Sequence, residues 1–261
     1  MLEIAIISDD LTGAADTGVQ CYPYFTNTTL LPYRNLPRDP RAFSSQVLAV
    51  YTNSRSIKAE TARKRILSTA RRLLAYHPRR VYKKVDSCLR GNIGAEVDAL
   101  MDEMGFELSF IAPAFPGMGR ITLHDVHMVH DRPVAETELS RDPVTPVRES
   151  QLSRIVASQS RYRVGHVDLR FLEGDDHEMF AQIDGLTPAG ARHIVFDAAR
   201  QAHLERIARL ALKSPKNILL VGSAGLARGL VSHFPERPGG EEDKPLYLQE
   251  GYHLLVCGTA A

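Results

Sequence analysis

The chain has 261 residues, of which 44% are hydrophobic and 24% charged, and its 32 Lys and Arg against 31 Asp and Glu leave a net charge of +1. That length holds one α/β core or two smaller ones, while the near-neutral balance excludes the global field that draws a protein to nucleic acid. No stretch approaches the roughly 20 apolar residues of a membrane span, the start MLEIAIISDD lacks the basic front and cleavage site of a secretory signal, and Cys21, Cys88 and Cys257 are too scattered for a zinc ribbon or a disulfide framework; the expected setting is the cytoplasm, with no membrane or nucleic-acid partner.

In chain order, short β-rich runs at 2–8, 47–52, 80–85, 108–112, 163–167, 193–196, 218–221 and 253–257 alternate with segments of helical period at 59–75, 94–104, 204–212 and 224–233. This alternation predicts an α/β fold, a largely parallel sheet with flanking helices in a Rossmann-like three-layer arrangement. Residues 113–150, rich in proline and charge, read as a long irregular excursion of the kind that is often functional. A Pro- and Gly-rich stretch then reads as a linker over 235–252, after a first domain at 1–234, and the apolar run beyond it reads as the start of a second domain at 253–261.

The chemistry concentrates at strand ends, where open parallel sheets hold ligands. The first strand delivers Asp9 and Asp10, two adjacent carboxylates able to bind sugar hydroxyls, accept a proton from an attacking hydroxyl or hold a metal ion. Capping of the next helix accounts for one of them, less readily for both. The second strand ends at Arg55, whose planar fork suits a carboxylate. The third ends in Lys84, Asp86, Ser87, Arg90, Gly91 and Asn92, a set suited to a small polyhydroxy anion, with Gly91 and Gly94 letting backbone N–H groups approach it.

Other features admit plainer readings. The basic run containing Arg63, Lys64, Arg65, Arg71 and Arg72 reads as a solvated helix face. His124, His127 and His130 are spaced by three, which on a helix would share a face near Asp125, but no H-E-x-x-H pattern accompanies them and no metal is expected. Gly222-Ser223-Ala224-Gly225 is either an anion loop or a close helix–strand contact, and it lacks the Lys-Ser/Thr ending of a P-loop.

The motifs Asp9-Asp10-Leu11-Thr12-Gly13-Ala14, Thr52-Asn53-Ser54-Arg55, Lys83-Lys84-Val85-Asp86-Ser87-Cys88-Leu89-Arg90-Gly91-Asn92 and Pro113-Ala114-Phe115-Pro116 with Gly119-Arg120 resemble those of the four-carbon acid sugar kinases. Thr137-Glu138, Asp142-Pro143, Pro146-Val147, Ser150 and Gly222-Ser223-Ala224-Gly225-Leu226-Ala227 extend the resemblance over nearly the whole chain, with a departure near Leu123, where relatives commonly have glycine. The resemblance implies an amino-terminal domain that holds a sugar acid and a carboxyl-terminal domain that binds ATP with Mg2+, phosphate passing to the acid's terminal hydroxyl. Asp9 or Asp10 would then be the base, Arg55 or Lys84 would fix the carboxylate, and Asp86 would fall at a substrate contact. Gly258 and Thr259 resemble the small-residue turn that opens the nucleotide domain, so this chain would supply the substrate half of the enzyme and be inactive alone; a homodimer is compatible with the family. The competing functions are a sugar-acid-binding module without catalysis and an aspartate-dependent phosphatase, the latter disfavoured because adjacent aspartates point to different sides.

Overall fold

The structure, a computed structural model, describes residues 1–237. The expected strand at 253–257, Gly258, Thr259 and most of the expected linker 235–252 lie outside the described residues. In chain order the elements are β1 (Ile4–Ser8), α1 (Leu11–Gln20), β2 (Thr28–Pro32), β3 (Val47–Tyr51), α2 (Ala59–Leu74), β4 (Arg80–Lys84), α3 (Ile93–Met104) and β5 (Leu108–Ala112), then β6 (Arg120–Leu123), β7 (Val126–Val129), β8 (Arg132–Pro133) and α4 (Leu152–Gln159). The last part runs β9 (Arg163–Val167), α5 (Leu169–Glu173), α6 (Asp176–Leu186), β10 (Ala191–Phe196), α7 (Gln201–Lys213), β11 (Ile218–Gly222) and α8 (Ala224–Val231).

Eight strands form one parallel sheet in the order β2-β3-β1-β4-β11-β5-β10-β9. Its central strands are buried on both faces, so they read as unbroken apolar runs, and successive residues serve opposite cores. Ala5 and Ile7 pack with Ile66 and Leu73 of α2, Val97 and Leu100 of α3, and Leu152 of α4. Ile4 and Ile6 belong with Ala14 of α1, Leu204 and Ile207 of α7, and Leu226 of α8 on the other face. The helix after β1 therefore leaves to one face and the helix after the neighbouring β4 to the other, which opens a crevice at the C-terminal ends of these two strands.

The structure corrects the sequence reading in two places and decides it in a third. Residues 113–150 are not wholly irregular: β6, β7 and β8 make an antiparallel meander. Its two hairpins have two-residue turns, His124-Asp125 and His130-Asp131, with φ of 50° and 66° in the first and 48° and 63° in the second. Positive φ at both centres is the signature of a type I′ turn, and His and Asp tolerate it better than most side chains, which is how the chain does without the glycine expected near Leu123. The three histidines thus share no helix face. His127 is buried, its Nε2 donating to Ser87 O at 2.8 Å while Thr122 Oγ1 lies 3.0 Å from its Nδ1. Burial pushes the His127 imidazole down to about 4, so it is a neutral link between the meander and the loop after β4.

The second correction concerns the basic run on α2, which is not merely solvated. Arg65 Nη1 donates to the carbonyls of Thr52 and Asn53 at 3.0 and 2.6 Å, bracing the end of β3, and Arg72 Nη1 donates to Tyr33 O at 2.9 Å. Arg63 and Arg71 reach Asp102 and Glu103 on α3. The Gly222-Ser223-Ala224-Gly225 turn is where the structure decides between the two readings of the sequence. A Cβ at Gly222 would meet Ala112 O at 2.5 Å and one at Gly225 would meet Ala114 O at 2.9 Å, so these glycines serve close helix–strand packing.

One buried network ties α3 to the sheet. Ser109 Oγ on β5 lies 2.7 Å from His193 Nδ1 on β10, and His193 Nε2 lies 2.8 Å from Asp98 Oδ1 on α3, which also accepts from Ser160 Oγ at 2.7 Å. Burial raises the Asp98 carboxyl, but the bonds from His193, Arg161 N–H and Ser160 more than offset this and hold it below its ordinary value. Because the folded value is depressed, the network's stabilisation is present above about pH 4 and fades as pH falls through the folded value. Asp98→Ala is expected to destabilise the fold by about 3–5 kcal/mol by stranding its buried partners. Urea unfolding at pH 7 measures this; a change under about 1 kcal/mol would show that the network is not holding α3 in place.

Candidate functional site

Asp9 and Asp10 follow the end of β1 and are joined by Arg55. Arg55 Nε and Nη2 fork onto Asp9 at 2.7 and 3.1 Å, and Nη1 stands 2.9 Å from Asp10 Oδ2. Asp10 also accepts from Gly13 N at 2.8 Å as the N-cap of α1, so the capping reading holds for one of the pair while both join the cluster. Burial works against the Arg55 charge, but the carboxylates of Asp9, Asp86 and Asp10 more than offset it and keep the guanidinium protonated. Gly91 is required where the loop passes this cluster: its φ is +99°, and a Cβ there would stand 3.3 Å from Arg55 Cγ and 3.4 Å from Asp9 Oδ2.

Arg90 repeats the arrangement on Asp86, with Nε and Nη2 at 2.7 and 3.3 Å, and its Nη1 reaches Asp142 at 3.7 Å. Burial raises the Asp86 carboxyl, yet Arg90, Arg55 and Lys84 together hold it below its ordinary value. Lys84 lies buried behind these carboxylates. Asn92 Nδ2 donates to Ser54 O and Ile57 O, both at 2.9 Å, and so pins the loop after β3 to the start of α3.

A cavity of about 390 Å³ opens over the cluster, lined by Asp9, Asp10, Arg55, Arg90, Asp142 and Thr145 among others. It shares Arg55 and Arg90 with an adjoining cavity of about 690 Å³, whose wall includes Lys58, Gly91, Asn92, Arg148 and Arg154. A further cavity of about 710 Å³ lies at the opposite end of the strands, by Leu74, Arg80, Phe106 and Ile218, far from the aspartates. Of the residues expected from sequence, Asp9, Asp10, Arg55, Asp86 and Arg90 form one cluster, Lys84 stands behind it, and Gly91 and Asn92 face the adjoining cavity. Ser87 lines neither cavity; its carbonyl is the His127 acceptor. Lys58, Ser56 and Arg148 line these cavities without any sequence signal beyond their polarity, and Asn53 does so from within the Thr52-Asn53-Ser54-Arg55 motif.

His124, Asp168 and Asp197 present ligand-type atoms within 4.8 Å of one another, a grouping absent from the sequence reading. Asp197 is wholly buried and accepts from His124 N, Asp125 N and Leu169 N at 2.8, 2.9 and 3.2 Å, with His166 Nε2 at 2.9 Å. Those four contacts use both of its oxygens, which makes Asp197 the clamp that fixes the first hairpin turn on the ends of β9 and β10. Among the described residues, no helix is long and apolar enough to cross a membrane.

Residues 4–230 match the family model described as a sugar-binding N-terminal domain. D-erythronate kinase of Heliobacterium modesticaldum is 34% identical over 256 residues, covering 96% of this chain and 57% of its own length. D-threonate kinase of Salmonella typhimurium is 36% identical over 230 residues, covering 88% of this chain and 53% of its own. A crystal structure of a domain of unknown function from Bordetella bronchiseptica, a domain-swapped dimer with bound citrate, superposes with a TM-score of 0.75 at 35% identity, covering 87% of this chain and 55% of that one. The chain spans about half the length of the curated relatives it matches.

Proposed function

The chain belongs to the four-carbon acid sugar kinase family, whose sugar-binding N-terminal domain it carries, and from that premise we propose that it binds a four-carbon sugar acid of the threonate or erythronate type for phosphorylation by ATP at the terminal hydroxyl. The observation that carries the reading is the convergence of Asp9, Asp10, Arg55 and Arg90 on one cavity at the switch point of the sheet, with Asp86 holding the Arg90 fork beside it. Carboxylates bind hydroxyls, and the paired guanidinium groups keep their charge from repelling an acid.

Within this reading Asp10 is the base and Asp9 the group that orients Arg55, because the Asp10 side chain is 26% exposed against 5% for Asp9. Both Arg55 and Arg90 have their forks on aspartates, so the acid's carboxylate finds its partners among Lys58, Arg148 and Arg154 in the adjoining cavity as well as on the outer edges of the arginines. Ser87 and Asn92 shape the loop rather than grip the ligand. ATP and Mg2+ belong, on this proposal, to the part of the relatives that this chain does not span. Asp9 and Asp86 are committed to arginine forks, so this aspartate cluster does not suit a magnesium ion. The citrate in the Bordetella bronchiseptica relative is in keeping with a family site for small carboxylates, and its domain-swapped dimer with a homodimer here.

Calorimetry of the 261-residue chain against threonate, erythronate and their stereoisomers tests the reading. One of them is expected to bind at a single site. A folded chain that takes up none of them would contradict it, and so would equal binding by simple monocarboxylates that lack hydroxyls.

A further inference from the structure

Residues 142–149 wall both site cavities. Asp142, Pro143, Val144 and Thr145 line the one over the aspartate cluster, and residues 144–149 line the adjoining one. The Asp142 carboxylate is held from behind: its Oδ1 accepts from Val144 N at 2.9 Å and from Thr145 N at 2.8 Å, an Asx turn that fixes the side chain before any ligand arrives. Its Oδ2 has no hydrogen bond among the described residues and faces Arg90 Nη1 across 3.7 Å. Arg90 is fixed in the same manner. Its Nε and Nη2 are spent on Asp86 at 2.7 and 3.3 Å, and Nη1 has no hydrogen bond among the described residues.

Two anchored atoms of opposite charge thus stand at a cavity wall, too far apart to hydrogen-bond each other. Both side chains keep part of their surface open, 30% for Arg90 and 20% for Asp142. One oxygen on the cavity side can lie about 2.8–2.9 Å from both atoms. A hydroxyl suits that place, because a single atom accepts from the guanidinium N–H and donates to the carboxylate. We propose that Asp142 and Arg90 together read a secondary hydroxyl of the sugar acid, which makes Asp142 a specificity-determining residue of the site.

The inference rests on the sugar-acid reading above. Arg90 lines both cavities, so an acid with its terminal hydroxyl at Asp10 and its carboxylate towards Arg148 and Arg154 passes the pair with its middle carbons. The N–H groups of Thr145 and Val144, with Arg90 beside them, hold the Asp142 carboxyl below its ordinary value, so at neutral pH it is ionised and only accepts. A keto oxygen at the same carbon has no proton to give and would set its lone pairs against the carboxylate. The pair therefore selects the hydroxy acid over its oxo counterpart.

The test pairs the residue with the ligand's hydroxyls. Calorimetry compares the preferred four-carbon acid with its two deoxy analogues, 3,4-dihydroxybutanoate and 2,4-dihydroxybutanoate of matching configuration, on the wild-type chain, Asp142→Asn and Asp142→Ser. Asparagine keeps an oxygen for the Val144 and Thr145 N–H groups but turns a donor instead of an acceptor towards the ligand; serine can cap the same turn and is too short to reach Arg90. A hydrogen bond to a charged group predicts that the wild type disfavours at least one deoxy acid by about 10- to 100-fold. Both variants are expected to lose that preference while binding the same deoxy acid as the wild type does. Thermal melting confirms folding, and Asp142→Ser carries the test if Asp142→Asn does not fold. Variants that weaken all three acids equally, with the preference intact, would make Asp142 a turn former alone and overturn the proposal, as would a wild type that disfavours neither deoxy acid. Failure of the wild type to bind any of the three would instead remove the sugar-acid reading, and this inference with it.

Discussion

Phosphate transfer from ATP to D-erythronate or D-threonate by this chain alone is expected to be undetectable, and to appear when the carboxyl-terminal half of the Heliobacterium modesticaldum kinase is fused to it. The chain spans 57% of that relative, and its described residues contain no phosphate-binding loop, because the turn at Gly222–Gly225 is closed by Ala112, Ala114 and Leu226. Positioning two substrates against each other is worth about 7–11 kcal/mol of barrier, roughly a 10⁵- to 10⁸-fold rate difference. The assay is ATP-dependent formation of the sugar-acid phosphate by the chain, by the fusion, and by the fusion carrying Asp10→Asn. The Asp10→Asn fusion is expected to lose about 10²- to 10⁴-fold through loss of the base. Substantial turnover by the chain alone would mean that the nucleotide site lies within it and that the proposed division of labour is wrong.

Arg55→Met is expected to abolish sugar-acid binding and to destabilise the chain by about 3–5 kcal/mol, since removing one member of a buried charge cluster strands the others. Here Asp9 would lose both of its fork bonds and Asp10 its ion pair. Arg55→Lys keeps a charge but cannot span Asp9 and Asp10 in one plane, so it should recover part of the stability and little of the binding. Lys64, exposed and paired among the described residues with Glu60 one turn away, is the control, and Lys64→Gln should change neither quantity measurably. Arg72 would be a poor control because its guanidinium holds the Tyr33 carbonyl. Urea unfolding and calorimetry on the same three variants read both effects; Arg55→Met that binds the acid normally would show that the cluster is structural alone.

The contrast between the two arginines marks the limit of what the sequence makes legible. Period and punctuation suffice for β1, β3, β4, β5, β10 and β11 and for the helices that bury long apolar stripes, such as α2 and α7, because burial writes a strong pattern, and alternation suffices for the edge strand β9. They fail for β2, an edge strand with half-exposed residues, and for α6, which buries only Met179 and Ile183. The meander escapes notice because His-Asp turns stand where Gly would have announced hairpins. At the site, strand-end position identifies Asp9, Asp10, Arg55, Asp86 and Arg90, since parallel sheets put chemistry there. Sequence does not say that Arg55 and Arg90 turn towards aspartates rather than outward, because that depends on which face each residue takes after the strand ends.

The most direct measurement of the central claim is a crystal structure of the chain soaked with the acid it binds best. The account predicts density for the ligand over Asp10, Arg55, Arg90 and Thr145, with its terminal oxygen against Asp10 and its carboxylate towards Arg148 and Arg154. Ligand density at the opposite end of the strands, by Leu74 and Phe106, with this cavity unfilled, would contradict it.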